Sequence, residues 1–324
     1  MKFIQLILIA LLVTCCKSAQ VQNDTSNQSK SSSVTFSTSE SVGKTLSYLA
    51  SDELEGRDTG SEGIEKAAVF LEDLMKRSGV KPYFKTYRDT LSNFEKPAYN
   101  IVGFLPGNDL KLKNEFVIIG AHYDHIGRIK AVNGDDIGNG ANDNASGSTA
   151  VTELIKYFGK NKGNKRSLLF VFFSAEEKGL LGSKHLAKKL HDEKMDLYFM
   201  FNFEMIGVPM KRTDMLMYIT GFGKSNMASK INEIAGENLV GYIPMQTQYQ
   251  LFRASDNYPF YTEFNVPAQT VSTFDFENFE FYHQPDDEFE LMKPEHMAKV
   301  VNKMIPVLEQ MMNTSTKEIE LNGK

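Results

Sequence analysis

The chain has 324 residues, of which 24% are charged, and a formal net charge of −5. Its length and apolar content suffice for one large core, so a single main domain is the simplest organisation. The acid excess and the lack of a long basic run in the sequence exclude a surface built for nucleic acid or for anionic membranes.

The chain opens on a targeting pattern. Lys2 precedes an almost wholly apolar run from Phe3 to Val13, which is too short to span a membrane. Leu12-Val13-Thr14-Cys15 resembles a bacterial lipobox, with Cys15 or Cys16 as the lipidated residue, and an ordinary cleaved signal peptide is the alternative. Both readings export the protein, either anchored by lipid to a membrane and facing the periplasm or cell surface, or secreted. The chain has 2 cysteines, both at this junction, so the folded part has no disulfide and no thiolate ligand. Residues 1–16 are thus expected to be a signal segment. Residues 17–41, rich in Ser, Thr, Asn and Gln, are expected to be a flexible tether. Residues 42–324 then form one domain.

Within that domain strand and helix patterns alternate. Val42 to Ala50 and Gly63 to Ser78 read as helices, the second with Ala67, Phe70, Leu71 and Leu74 on one face. Asn100 to Phe104 and the continuous apolar run Phe116 to Ala121 read as strands. A helix from Ser146 to Phe158, a buried strand from Leu168 to Phe173, a helix from Gly179 to Leu190 and a strand from Leu197 to Phe203 follow. Met215 to Thr220 and Val266 to Val271 add strands around a helix from Lys224 to Ala235. A closing helix starts at Pro294 and carries Met297, Val300, Val301, Met304, Ile305 and Leu308 on its apolar face. This alternation predicts a three-layer α/β/α sandwich on a mostly parallel sheet.

Ligands in such folds gather at the carboxyl ends of strands. His122 follows one buried strand directly, Glu176 and Glu177 come three residues after the next, and Glu204 follows the third. Each alone reads equally well as a solvated loop or strand-end residue. Together with Asp143, in the glycine-flanked loop Gly140 to Gly147, and His283, they form a set suited to zinc. Asp124, two residues past His122, is expected to accept the imidazole's other N–H. Of two adjacent glutamates, one can ligate while the other moves a proton. His185, His191 and His296 read as solvated. His125 stands beside the site, either as a loop residue or as a support for a ligand, and Tyr249, Arg253 and Tyr282 are candidates for a pocket wall.

An ordered series of segments resembles the bacterial secreted zinc aminopeptidases, family twenty-eight of the metallopeptidases, whose relatives include glutamate carboxypeptidase-like enzymes and glutaminyl cyclases. The segments are Leu49 to Arg57, His122-Tyr123-Asp124, Gly140 to Gly147, Ser174 to Glu177, Asn202 to Met205, Ser255-Asp256 and Tyr282 to Asp287. The resemblance implies a zinc exopeptidase-like fold and two Zn2+ ions bridged by Asp143. His122 and Glu204 would complete one metal position, Glu177 and His283 the other, with Glu176 as general base and Asp124 supporting His122. It also implies a cis Asp143-Asn144 peptide. Glu204 stands where most aminopeptidases of this kind have Asp, which lengthens that ligand by a methylene. The function expected is a metallopeptidase acting on peptides, foremost an aminopeptidase. Alternatives are a carboxypeptidase or glutaminyl-cyclase-like enzyme on the same scaffold, or an inactive peptide-binding lipoprotein.

Overall fold

Apolar runs with no polar alternation become strands covered on both faces. In the computed structural model, which describes residues 35–323, helices α1 (Ser39–Leu49), α2 (Glu62–Arg77), α3 (Gly147–Asn161) and α4 (Leu181–Asp192) are followed by α5 (Met227–Ala235), α6 (Met245–Gln248), α7 (Asn257–Phe264) and α8 (Pro294–Asn313). The strands are β1 (Lys81–Pro82), β2 (Arg88–Thr90), β3 (Tyr99–Leu105), β4 (Glu115–His122), β5 (Gly127–Val132) and β6 (Asp135–Gly138). After them come β7 (Ser167–Phe173), β8 (Asp196–Glu204), β9 (Met217–Ile219), β10 (Val240–Gly241) and β11 (Ala268–Ser272). The main sheet runs β1-β3-β7-β4-β8-β11-β9-β10, with β2 also paired to β3, while β5 and β6 form a separate hairpin. The four central strands, β7, β4, β8 and β11, are mutually parallel. Antiparallel pairings join them to the flanking strands β3 and β9.

Alternate residues of the central strands enter two separate cores. Val117, Ile119, Ala121, Leu168, Phe170 and Phe172 pack with α1, α2, α3 and α8. Ile118, Leu169, Val171 and Phe173 face the opposite way, against Leu186, Ala187 and Leu190 of α4 and Phe260 of α7. This is the expected three-layer α/β/α sandwich. Pro294 opens α8 at its first turn, and the apolar stripe of that helix is buried throughout. Parallel register aligns the strand ends that matter: His122 pairs with Phe173, and Gly120 with Asn202. The residues just past β4, β7 and β8 therefore meet at one edge of the sheet.

Several expectations change. The targeting segment, both cysteines and residues 17–34 lie outside the described residues. The tether does not extend to Ser41, because folded structure is present from residue 35. The Phe36 and Ser37 N–H groups both donate to Asn302 Oδ1 at 2.9 Å, the Phe36 ring meets Tyr157 edge-on, and Thr38 Oγ1 caps α1 by accepting from Ser41 N. The helix expected from Lys224 starts at Met227, since the Lys224 N–H turns back to Gly221 O at 2.7 Å. His185 and His296 are not free in solvent. His185 Nδ1 lies 3.1 Å from Ser92 Oγ, and His296 Nε2 is enclosed without a hydrogen-bond partner.

Candidate metal centre

Three strand ends and two loops converge on one point. His122 is the last residue of β4, Glu204 the last of β8, and Glu176 and Glu177 sit in the turn after β7. Tight turns aim them: Ala175, Met205 and His283 all have positive φ, a conformation that side chains other than glycine adopt where a site requires it. Asp143 comes from the loop that leads into α3, and its peptide to Asn144 is cis, as the family resemblance implies.

The side chains form two clusters that share Asp143. In the first, His122 Nε2 lies 3.3 Å from Asp143 Oδ1 and 3.0 Å from Glu204 Oε1. In the second, His283 Nε2 lies 3.2 Å from both Asp143 Oδ2 and Glu177 Oε2. Each oxygen of Asp143 thus faces a different imidazole, the arrangement of a carboxylate that bridges two cations. The second cluster includes a residue outside the expected ligand set, since His125 Nδ1 is 3.0 Å from Glu177 Oε1. The only sequence signal for it was its position one residue past Asp124.

The supporting contacts refine one expectation. His122 Nδ1 is within hydrogen-bond distance of the Asp124 backbone carbonyl, at 3.1 Å, while the Asp124 carboxylate stands farther off at 3.7 Å. The carboxylate instead accepts from Thr59 Oγ1 and from the backbone N–H groups of Glu176 and Glu177, so it orients the glutamate turn. The Asp143 loop is anchored by Asp287, whose carboxylate accepts from Asn142 N at 2.7 Å and Asp143 N at 3.0 Å. It is also tied to the β8 turn, where Asn144 Oδ1 accepts from Met205 N and Asn144 Nδ2 donates to Phe203 O. Ser255 Oγ donates to Glu204 Oε2 at 2.8 Å and fixes the end of the longer glutamate side chain. Arg57, fully buried, donates to the carbonyls of Leu49, Tyr123, Asn139 and Gly140. The Leu49 to Arg57 and Tyr282 to Asp287 segments were legible as motifs, but these partners were not.

The electrostatics fit a missing positive charge. Burial would lower His122, yet the carboxylates of Glu204 and Glu176, with Asp124 and Asp143, push it well above the ordinary imidazole range. Burial also opposes charge on His283, but Asp143 and Glu177 raise it to about 10. Burial lifts Glu176 well above the usual carboxylate range, reinforced by Asp256, Glu204 and Glu177 against the pull of His122. The excess of carboxylates therefore retains protons that divalent cations would displace. His283 Nε2 is buried without a hydrogen-bond partner while pointing between two carboxylate oxygens, which suits an imidazole lone pair aimed at a cation. Imidazole and carboxylate donors at these separations match zinc.

A cavity of about 190 Å³ opens onto His122, Asp143, Glu176 and Glu204. Its walls include Tyr218, Tyr249, Phe274, Phe276 and Tyr282, whereas Arg253 is not among its lining residues.

A parallel-centred α/β/α sandwich with acidic and imidazole side chains at its strand ends defines the zinc exopeptidase class of folds. The model of peptidase family M28 matches residues 100–308, and the chain belongs to that family. Among curated relatives, it is 28% identical over 206 residues to aminopeptidase YwaD of Bacillus subtilis, covering 62% of this chain and 42% of that protein. It is 30% identical over 166 residues to leupeptin-inactivating enzyme 1 of Streptomyces exfoliatus, covering 51% and 34%. The aligned segments thus span less than half the length of either relative. Among solved structures, the zinc aminopeptidase BSAP of Bacillus subtilis superimposes with a TM-score of 0.63 at 15% identity, covering 88% of this chain and 98% of that one. The glutaminyl cyclase of Porphyromonas gingivalis gives 0.66 at 15% identity, covering 86% and 100%. At such identities these structures share the fold.

Proposed function

We propose that the protein is a zinc-dependent aminopeptidase that removes N-terminal residues from peptides, with His122, Asp143 and Glu204 holding one zinc ion and Asp143, Glu177 and His283 a second. The observation that carries this reading is the division of Asp143 between two clusters beside a carboxylate-rimmed cavity. Zinc ions, when bound there, would supply Lewis acidity to polarise a peptide carbonyl and acidify water. Glu176 would take the proton of the attacking water and deliver it to the departing amine, a role suited to the one carboxyl that, among the described residues, lines the cavity without belonging to either cluster. The aromatic walls offer an apolar surface to the side chain of the residue removed.

The cavity lining disfavours a free carboxylate in the substrate. Among the described residues lining the cavity there is no Arg or Lys to pair a C-terminal carboxylate. The test uses the zinc-loaded protein and a pool of free, N-acetylated and N-terminal Gln peptides followed by mass spectrometry. Stepwise loss from free N-termini alone is expected. Loss from C-termini, ammonia loss from Gln peptides, or no change with zinc bound would replace this reading with a carboxypeptidase, a cyclase or a binding protein respectively. Glu176→Gln should keep its zinc and lose turnover by about 100-fold or more; full activity in that variant would remove Glu176 from the role of base.

A further inference from the structure

His125 lies in the second cluster but has no part in the reaction outlined above. It is fully buried, its ring meets His283 edge to face with centroids 5.5 Å apart, and its Nδ1 is 3.0 Å from Glu177 Oε1 and 3.8 Å from Asp143 Oδ2. Two roles are compatible with those distances, a further metal ligand or a donor that orients Glu177, and they require opposite tautomers. A ligating Nδ1 offers a lone pair, which moves the ring proton to Nε2. That atom is buried and has no hydrogen-bond partner, so the ligand role would leave an N–H without the acceptor that a ligating histidine needs. Ligating histidines ordinarily give their second N–H to an acceptor, as His122 can give Nδ1–H to the Asp124 carbonyl. With the proton on Nδ1 the contact at 3.0 Å becomes a hydrogen bond to Glu177, and Nε2 carries only an unshared lone pair in the position where it has no partner.

The surroundings hold the ring in this pose. The His125 N–H donates to Arg57 O at 3.2 Å, and a Cβ on Gly140 would stand 2.5 Å from His125 Cγ and Cδ2. Gly140, at positive φ, is therefore the floor against which the imidazole packs. The two oxygens of Glu177 are then divided between two imidazoles, Oε1 facing His125 and Oε2 facing His283.

We propose that His125 is a positioning residue, in which Nδ1–H donates to Glu177 Oε1 and so turns Glu177 Oε2 toward the same cation position as Asp143 Oδ2 and His283 Nε2. This rests on the reading of the site as a two-zinc centre, and the experiment separates the two. The full-length protein, labelled with 15N-histidine, is loaded with zinc, and its ring tautomers are read by NMR alongside zinc stoichiometry and affinity from chelator competition. Expected are two zinc ions per chain and a His125 ring protonated at Nδ1 alone. His125→Leu should weaken one of the two zinc ions by about 10–100-fold, the usual effect of losing a group that orients a ligand. His125→Asn, whose amide places a donor near the Nδ1 position, should recover most of that loss. A zinc-bound Nδ1 with the proton on Nε2 would overturn the proposal in favour of direct ligation. Unchanged zinc affinity in His125→Leu, or an Asn variant no better than Leu, would reduce His125 to a packing role. Wild-type protein that binds no zinc at all would instead fail the metal-centre reading, and the positioning role with it.

Discussion

Replacing Arg57 by Met keeps an unbranched side chain in the same space and removes every donor that the guanidinium presents. In the structure those donors reach four backbone carbonyls: Nε to Tyr123 at 2.9 Å, Nη1 to Leu49 and to Asn139 at 2.6 Å, and Nη2 to Gly140 at 3.0 Å. Burial lowers the guanidinium to about 10, opposed by the nearby carboxylates of Asp287, Asp124 and Asp143, so it remains charged at neutral pH. Hydrogen bonds from a charged donor contribute about 1.5–3 kcal/mol each, which for four would be roughly 6–12 kcal/mol. Against that stands the several kcal/mol cost of taking the charge out of water, which the variant no longer bears. The net loss of stability should be about 4 kcal/mol, the difference between those two terms, because four buried carbonyls are left without donors. The assay is urea unfolding of the metal-free protein, which removes zinc binding from the comparison, followed by zinc affinity at low urea. Because Asn139 and Gly140 lead directly into the Asp143 loop, zinc affinity should fall as well. Arg57→Lys should restore less than half of the lost stability, since a point charge cannot span four carbonyls in different directions. A loss below about 1 kcal/mol with zinc affinity unchanged would show that the clamp holds nothing in place.

Gly147→Ala should be disproportionately damaging for one methyl group. Its Cβ would collide with Asn144 Oδ1 and the Phe203 carbonyl, the contacts that join the Asp143 loop to the β8 end. A stability loss of about 2–3 kcal/mol with weakened zinc retention is expected, and an unaltered urea midpoint would refute it. His296 supplies a pH signature. Burial and Lys299 hold it near 4, against 6.5 for a free imidazole, so it stays neutral in the fold while the unfolded chain takes up a proton. Its contribution is therefore complete above about pH 6.5 and lost as pH falls toward 4, by at most about 3 kcal/mol. His296→Leu should lose less stability than wild type between pH 7 and pH 4.5, and equal losses would contradict this.

The strand-end members of the two clusters were legible because they follow uninterrupted apolar runs. Phe116 to Ala121, Leu168 to Phe173 and Leu197 to Phe203 could only be strands covered on both faces, and the residues just past them had to meet at one sheet edge. What secures those ligands was not legible. Arg57, Asp287 and His125 act on backbone groups or side chains far away in sequence, and no local period marks a residue whose partners are carbonyls or amides. The Asp124 carboxylate illustrates the limit. Two residues after a histidine it has the spacing to pair with that imidazole, yet the chain turns so that its own carbonyl does so and the carboxylate serves the glutamate turn. Residues 35–38 gave a polar, tether-like pattern because the groups that receive Phe36, the Tyr157 ring on α3 and the Asn302 amide on α8, lie far along the chain.

The segment from His283 to Asp287 contributes both an imidazole of the second cluster and the carboxylate that grips the backbone of Asp143. Both side-chain clusters include Asp143, so neither is fully framed until a stretch translated long after the three strands has docked onto them. A chain still lacking residues beyond Tyr282 would have neither this imidazole and carboxylate nor α8, whose buried stripe covers one face of the sheet. The centre and the packing of the sheet are thus completed by the same late stretch of chain, so the site cannot be assembled ahead of the fold that carries it.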